Sequence, residues 1–172
     1  YGSIIPNNNV DGVNYVFSVS ESTINLEELE LFLEISDDSG NEWYAIISVD
    51  VIGSYITVQS HNFINGDGVN PGQIGSFNIV VRNRGEVALD GVNIDMTSVS
   101  NLIDVIQGSA YFGNINANEN ATSNDNFTIQ TNGNTINGTV ASVQLHITSD
   151  NGYNREEFMD IQIGEVGEED PL

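Results

Sequence analysis

One Gly-rich loop carries oxygen donors of the kind that hard cations bind. Asn65, Asp67 and the main-chain carbonyl of Val69 alternate along it, and calcium accepts oxygen ligands at such a spacing. An EF-hand would need more carboxylates and a closing bidentate glutamate, which this loop lacks. Two interpretations therefore stay open, a weak calcium site and a turn that introduces a strand.

A second acidic turn contains Asp37 and Asp38, followed by Ser39-Gly40-Asn41. Short polar side chains of this kind cap backbone groups in hairpin turns. The capping interpretation is favoured, and calcium binding by the two carboxylates is the alternative. We expect no required cofactor, with calcium as the one candidate ion.

Three aromatic residues are candidates for ligand binding. Trp43 begins a predicted strand and would cover one end of a core. The alternative is a sugar-stacking surface in which Tyr44 or Phe32 supplies a second exposed ring. His61 and His146 are the two imidazoles, and no nucleophile-elbow motif accompanies them. We therefore predict no catalytic residues and no enzyme activity.

Charge and composition exclude several classes of partner. Three cationic against 25 acidic residues give a net charge of −22. Because binding to nucleic acid or anionic membranes rests on cationic groups, we expect neither partner. No apolar stretch is long enough to cross a membrane, so membrane insertion is not expected. The absence of cysteine excludes disulfides, thiolate catalysis and cysteine-based zinc sites.

The elements that position these residues are predicted to be strands. Apolar residues recur at every second position, which is typical of half-buried antiparallel strands. Asn-Gly and Pro-Gly turns separate the runs. The pattern predicts an all-β, Ig-like antiparallel sandwich without a long helix. The predicted buried residues are Phe77, Ile79, Val81, Ile94, Val143, Leu145, Ile147 and Ile161.

An internal repeat sets the predicted domain organisation. Segments of the first 52 residues match later segments at an offset of 110 to 112, for example Tyr1-Gly2-Ser3-Ile4 with Phe112-Gly113-Asn114-Ile115. Residues 1–52 are therefore predicted to be the second half of one sandwich, with about four strands, and residues 53–164 a complete one. Residues 165–172 are predicted to be an acidic linker. We expect neighbouring material, a preceding segment in preference to a second copy, to complete the first unit.

Two segments resemble bacterial extracellular Ig-like repeats of the CARDB type. Residues 65–73 resemble their N-G-D-G-x-L-x-P-G-E loop, and residues 81–85 their L-x-N-x-G segment. Gln73 stands where the family usually has glutamate, which weakens a metal site. The resemblance implies a bacterial surface or secreted location and a structural, spacer or stalk role. A glycan- or protein-binding adhesion module and an accessory domain of a gingipain-like peptidase are the alternatives.

Overall fold

The computed structural model describes residues 2–12, 14–19, 25, 27–66 and 68–165. These residues form strands and loops without a helix, so none offers a helix able to span a membrane. The chain is all-β, as predicted. The strands are β1 (Glu28–Ser36), β2 (Glu42–Asp50), β3 (Ile56–Phe63), β4 (Ile74–Asn83), β5 (Leu89–Ser98), β6 (Ile103–Gln107), β7 (Ser109–Ile115), β8 (Asn120–Thr122), β9 (Phe127–Thr131), β10 (Thr139–Thr148) and β11 (Asn154–Ile163).

Strands β3 to β11 form two antiparallel sheets around one core. One sheet has the order β11-β10-β5-β7 and the other β3-β4-β9-β6, with β8 paired to β4. The core draws buried side chains from both sheets, which makes an Ig-like sandwich. The prediction of core residues is confirmed, because all eight side chains are fully buried: Phe77, Ile79, Val81, Ile94, Val143, Leu145, Ile147 and Ile161.

Alternating burial along the long strands explains why the sequence adopts this fold. In β4 and β10 every second side chain is buried, since successive side chains of a strand point to opposite faces. Phe77 of β4 stacks on Phe127 of β9, with ring centroids 6.0 Å apart. Such aromatic pairs contribute beyond the apolar area that they bury.

The end of β4 is fixed by a buried amide. Asn83 is fully buried, and its Oδ1 accepts the N–H groups of Tyr55 at 3.1 Å and Gly85 at 3.0 Å. Its Nδ2 donates to the carbonyls of Val87 at 2.7 Å and Ile115 at 3.3 Å. One side chain thus satisfies four backbone groups from separate segments. Asn83, the asparagine of the motif segment at residues 81–85, therefore has a structural role.

Gly85, two residues after Asn83, lets the backbone of residues 53 and 54 pass close to the end of β4. A Cβ added at Gly85 would lie 2.3 Å from the carbonyl oxygen of Gly53 and 2.6 Å from the Cα of Ser54. Because these are backbone atoms, a side chain at residue 85 would displace the segment that leads into β3.

The chain enters and leaves the sandwich at opposite ends. At one end the Ile56 N–H donates to the Tyr153 hydroxyl at 3.0 Å, which places the start of β3 beside the start of β11. At the other end Val69, in the loop after β3, forms a parallel bridge with Ile163, the last residue of β11. Strands β3 and β11 therefore run in the same direction.

Strands β1 and β2 pair with each other and form a separate two-stranded sheet, here called the first hairpin. Residues 2–12 and 14–19 are described and contain no strand. The expectation of about four strands in residues 1–52 therefore fails for the described part, where two are formed. The division at residues 52 and 53 stays a prediction. Of the predicted linker, residues 166–172 lie outside the described residues.

Candidate functional site

A polar cleft lies where the loop between β3 and β4 meets the end of β11. Its volume is about 660 Å³. Strand β3 contributes His61 and Phe63, strand β11 contributes Asp160, and the loop contributes Asn65 and Gln73. The cleft therefore contains part of the loop for which a calcium site was one interpretation.

The loop's own hydrogen bonds occupy some of its predicted ligands. The Val69 carbonyl accepts the Gly164 N–H at 2.8 Å, and Val69 itself is buried. Gln73 Oε1 lies 3.4 Å from both the main-chain and side-chain nitrogens of Asn70. Asn65 is exposed, and Asp67 lies outside the described residues. Calcium binding here stays a prediction.

The acidic turn of the first hairpin is held by Asp37. Its carboxylate accepts the main-chain N–H groups of Ser39 and Asn41, each at 2.9 Å, and the Asn41 side-chain amide at 2.7 Å. These bonds, the Asn41 amide first, hold the pKa of the Asp37 carboxyl below its usual 3.8. This is the geometry that the capping interpretation requires. Asp38 is exposed beside it.

The described residues of the two acidic segments do not belong to a metal-binding cluster. Within the described ranges, no three His, Asp or Glu side chains are grouped so that they could hold a metal ion. Calcium at Asp37 and Asp38 therefore also stays a prediction.

The register of the first hairpin separates the three candidate aromatic residues. Trp43 pairs with Ile35, whereas Phe32 pairs with Ile46 and Tyr44 with Glu34. Because side chains alternate between the faces of a sheet, Phe32 and Tyr44 share one face and Trp43 lies on the other. The suggested platform of Trp43 with either ring is therefore wrong. Binding of a sugar or protein to these residues individually stays a prediction.

His61 is the titratable side chain of the cleft that packs against the core. Its ring meets those of Phe63 and Phe77 edge-on, with centroids 5.8 Å apart in both pairs. Burial in these apolar surroundings lowers the pKa of His61 below its ordinary value of 6.5, since desolvation disfavours the charged imidazolium. His61 is therefore a neutral packing residue at pH 7.

Acidification should weaken the sandwich through His61. The folded state binds a proton at His61 less readily than the unfolded chain does. The contribution of neutral His61 to the free energy of unfolding is therefore full above pH 6.5 and is lost as the pH falls below that value. We expect urea unfolding between pH 7.5 and pH 5.5 to show a shallower loss of stability in His61→Gln than in the unmodified chain. His146→Gln is the matched control, and equal slopes in all three proteins would contradict the assignment.

Sequence reasoning missed most of this cleft. It singled out His61 as one of two imidazoles but did not connect Asp160 or Phe63 with the loop. The alternation of β11 locates Asp160 on the outward face, yet only the meeting of β11 with the β3–β4 loop brings it to the cleft.

Comparisons with known proteins return structural matches alone. No protein-family model matches the chain, and no curated protein matches it. A FixG-related protein from Vibrio parahaemolyticus is 12% identical, with a TM-score of 0.34, over 67% of this chain and 98% of that one. A cohesin module from a Clostridium perfringens family 33 glycoside hydrolase is 10% identical, with a TM-score of 0.35, over 67% and 100%.

A third match covers more of this chain. BcpA, the major pilin subunit of Bacillus cereus, is 11% identical, with a TM-score of 0.33, over 79% of this chain and 48% of that one. The assignment of this chain as an Ig-like sandwich rests on its own two sheets and shared core.

Proposed function

We propose that the chain is a non-catalytic spacer module of a larger extracellular bacterial protein. The observation that carries the proposal is the placement of entry and exit at opposite ends of the sandwich, beside Tyr153 and beside Val69. Modules joined in this way follow one another end to end, so that each adds its own length to the protein. The Ig-like resemblance of the two motif segments supports the same role and the extracellular location.

The entry segment is fastened to the body of the module, as a spacer requires. The Gly53 carbonyl accepts the N–H groups of Glu86 at 2.9 Å and Val87 at 3.3 Å. The Ser54 hydroxyl donates to the Val87 carbonyl at 2.9 Å. These bonds restrict the direction in which the chain joins the sandwich, and restricted junctions keep successive modules apart.

The surface charge also favours separated modules. A net charge of −22 makes copies of this chain repel one another at low ionic strength, which opposes collapse of an array. Repeats that contact only their neighbours in sequence form extended assemblies.

Solution scattering of a two-copy fusion tests the spacer proposal. Strand β11 has ten residues, which corresponds to roughly 33 Å. We expect the maximum dimension of two fused 172-residue copies to exceed that of one copy by at least this length at low salt. A fusion through a long Gly-Ser linker is the control, because it gives the maximum dimension of two copies that are joined flexibly. An increase smaller than one strand length would contradict the proposal.

A further inference from the structure

The first hairpin repeats the hairpin β10–β11 residue for residue. Ser36 pairs with Glu42, and Thr148 pairs with Asn154. Each residue of the second pair lies 112 positions after its counterpart in the first pair. The turns agree as well. The N–H of residue 37 donates to the carbonyl of residue 41 at 3.1 Å, and that of residue 149 to residue 153 at 3.1 Å. The first hairpin therefore has the register and turn of a hairpin that completes a sandwich.

A second segment repeats its counterpart in backbone conformation. Gly2 and Gly113 have φ of 68° and 77°, and Asn7 and Asn118 have φ of 60° and 63°. The Asn8 N–H donates to the Ile5 carbonyl at 3.1 Å, as that of residue 119 does to residue 116 at 3.2 Å. Residues 2–8 thus reproduce residues 113–119, the end of β7 and the turn after it.

The two hairpins differ in what covers their inward faces. Met159 is 7% exposed, whereas its counterpart Ile47 is 47% exposed; Ile147 is fully buried, whereas its counterpart Ile35 is 43% exposed. The outward faces agree, since Ile46 and Phe158 are 58% and 61% exposed. The first hairpin therefore presents the face that β10–β11 buries. The side chains on that face are Leu29, Leu31, Leu33, Ile35, Trp43, Ala45, Ile47 and Val49.

The strand pairing of the complete sandwich shows which strands the first unit lacks. Strands β7 and β10 both pair with β5, and β8 and β9 both pair with β4. Among the described residues after 111, β10 and β11 are the only two strands that pair with each other. This explains why the described part of residues 2–52 forms the counterpart of β10–β11 and no other strand. The counterparts of β3 to β6 are what this unit needs.

We propose that residues 2–52 bind a polypeptide segment that supplies counterparts of β3 to β6 and completes a second sandwich. The counterpart of β5 pairs with β1, whose outer edge is unpaired within the described residues. The counterparts of β3 and β4 cover the apolar face of the first hairpin. In the order of the repeat, this segment precedes the residues that it completes, as residues 53–111 precede residues 112–163.

A second copy of this chain is not the expected occupant. In an intact copy β5 lies between β10 and β7, and β4 lies between β3 and β9. Both central strands are therefore already paired, and a second copy would have to release its own β10–β11 before it could accept the first hairpin. This proposal does not depend on the spacer role, because it rests on the repeated segments and on the exposed face of the first hairpin.

The chain's own sequence provides a probe for the missing strands. A fusion with a second copy of residues 53–111 placed directly before Tyr1 restores the repeat order. Trp43 is the single tryptophan and lies on the open face, 51% exposed, so its fluorescence reports coverage of that face. We expect emission at shorter wavelength in the fusion than in the 172-residue chain. We also expect amide exchange of residues 31–36 to slow by about tenfold or more.

A matched variant separates specific completion from simple lengthening of the chain. Ile94→Asp in the added copy alone places a charge at the core face of its β5 and should abolish both effects. The fusion contradicts the proposal if Trp43 emission and the exchange of residues 31–36 are unchanged.

The 172-residue chain gives an independent measurement that does not require the fusion to fold. Without the missing strands, amides of the first hairpin should exchange faster by about tenfold or more than those 112 positions later in β10–β11. Equal protection in a monomer would show that the hairpin needs no partner. A concentration-dependent dimer with blue-shifted Trp43 would assign the face to a second copy. Either result overturns the proposal.

Discussion

Replacement of Asn83 with leucine should lower the free energy of unfolding of the sandwich by about 3–4 kcal/mol. The substitution leaves four backbone groups, those of Tyr55, Gly85, Val87 and Ile115, without the partner that they have now. A buried group left unsatisfied costs about 1–3 kcal/mol, and part of this cost is relieved by rearrangement. Urea denaturation followed by circular dichroism measures the change.

Asn78→Leu is the matched control for this substitution. Asn78 lies on the same strand but faces outward, where its side chain accepts one exposed hydrogen bond from Asn62 at 3.2 Å. We expect a change within about 0.5 kcal/mol, as for surface substitutions in general. A loss in Asn83→Leu no greater than in Asn78→Leu would show that the buried amide does not hold the ends of β4 and β7 together.

Phe77→Ala should be comparably severe, with an expected loss of about 3–5 kcal/mol. Phe77 is fully buried, and its ring lies 5.2 Å from that of Phe63 and 6.0 Å from that of Phe127. Truncation leaves a cavity between the two sheets in addition to the lost transfer free energy. Because whole domains are stable by only about 5–15 kcal/mol, thermal denaturation should also show a large decrease in Tm.

Phe158→Ala provides the corresponding surface truncation. Phe158 is 61% exposed on the outward face of β11, so little apolar contact is lost and the change should stay within about 1 kcal/mol. Similar losses in Phe77→Ala and Phe158→Ala would contradict the central position of Phe77 in the core.

Local patterns in the sequence are enough to predict the class of structure and the core of the sandwich. Alternation of apolar residues is a local signal, because the backbone of a strand places side chains on opposite faces at a period of two. Val143, Leu145 and Ile147 could be assigned to the core on that basis without knowledge of their partners, and they are buried. The Asn-Gly turns marked the strand ends for a similarly local reason.

The identity of the paired strands, and of the side chains that pairing brings together, could be read only from the folded chain. Pairing depends on contacts between residues far apart in sequence, which no local pattern records. Phe32 and Trp43 illustrate this, since the register of β1 with β2 sets their faces. So does Asn83, whose partners extend to Ile115. The open face of the first hairpin lies between the two categories. The internal repeat predicted an incomplete first unit, but only the structure shows which face is left exposed, because the described residues place no second sheet against Ile35 and Ile47.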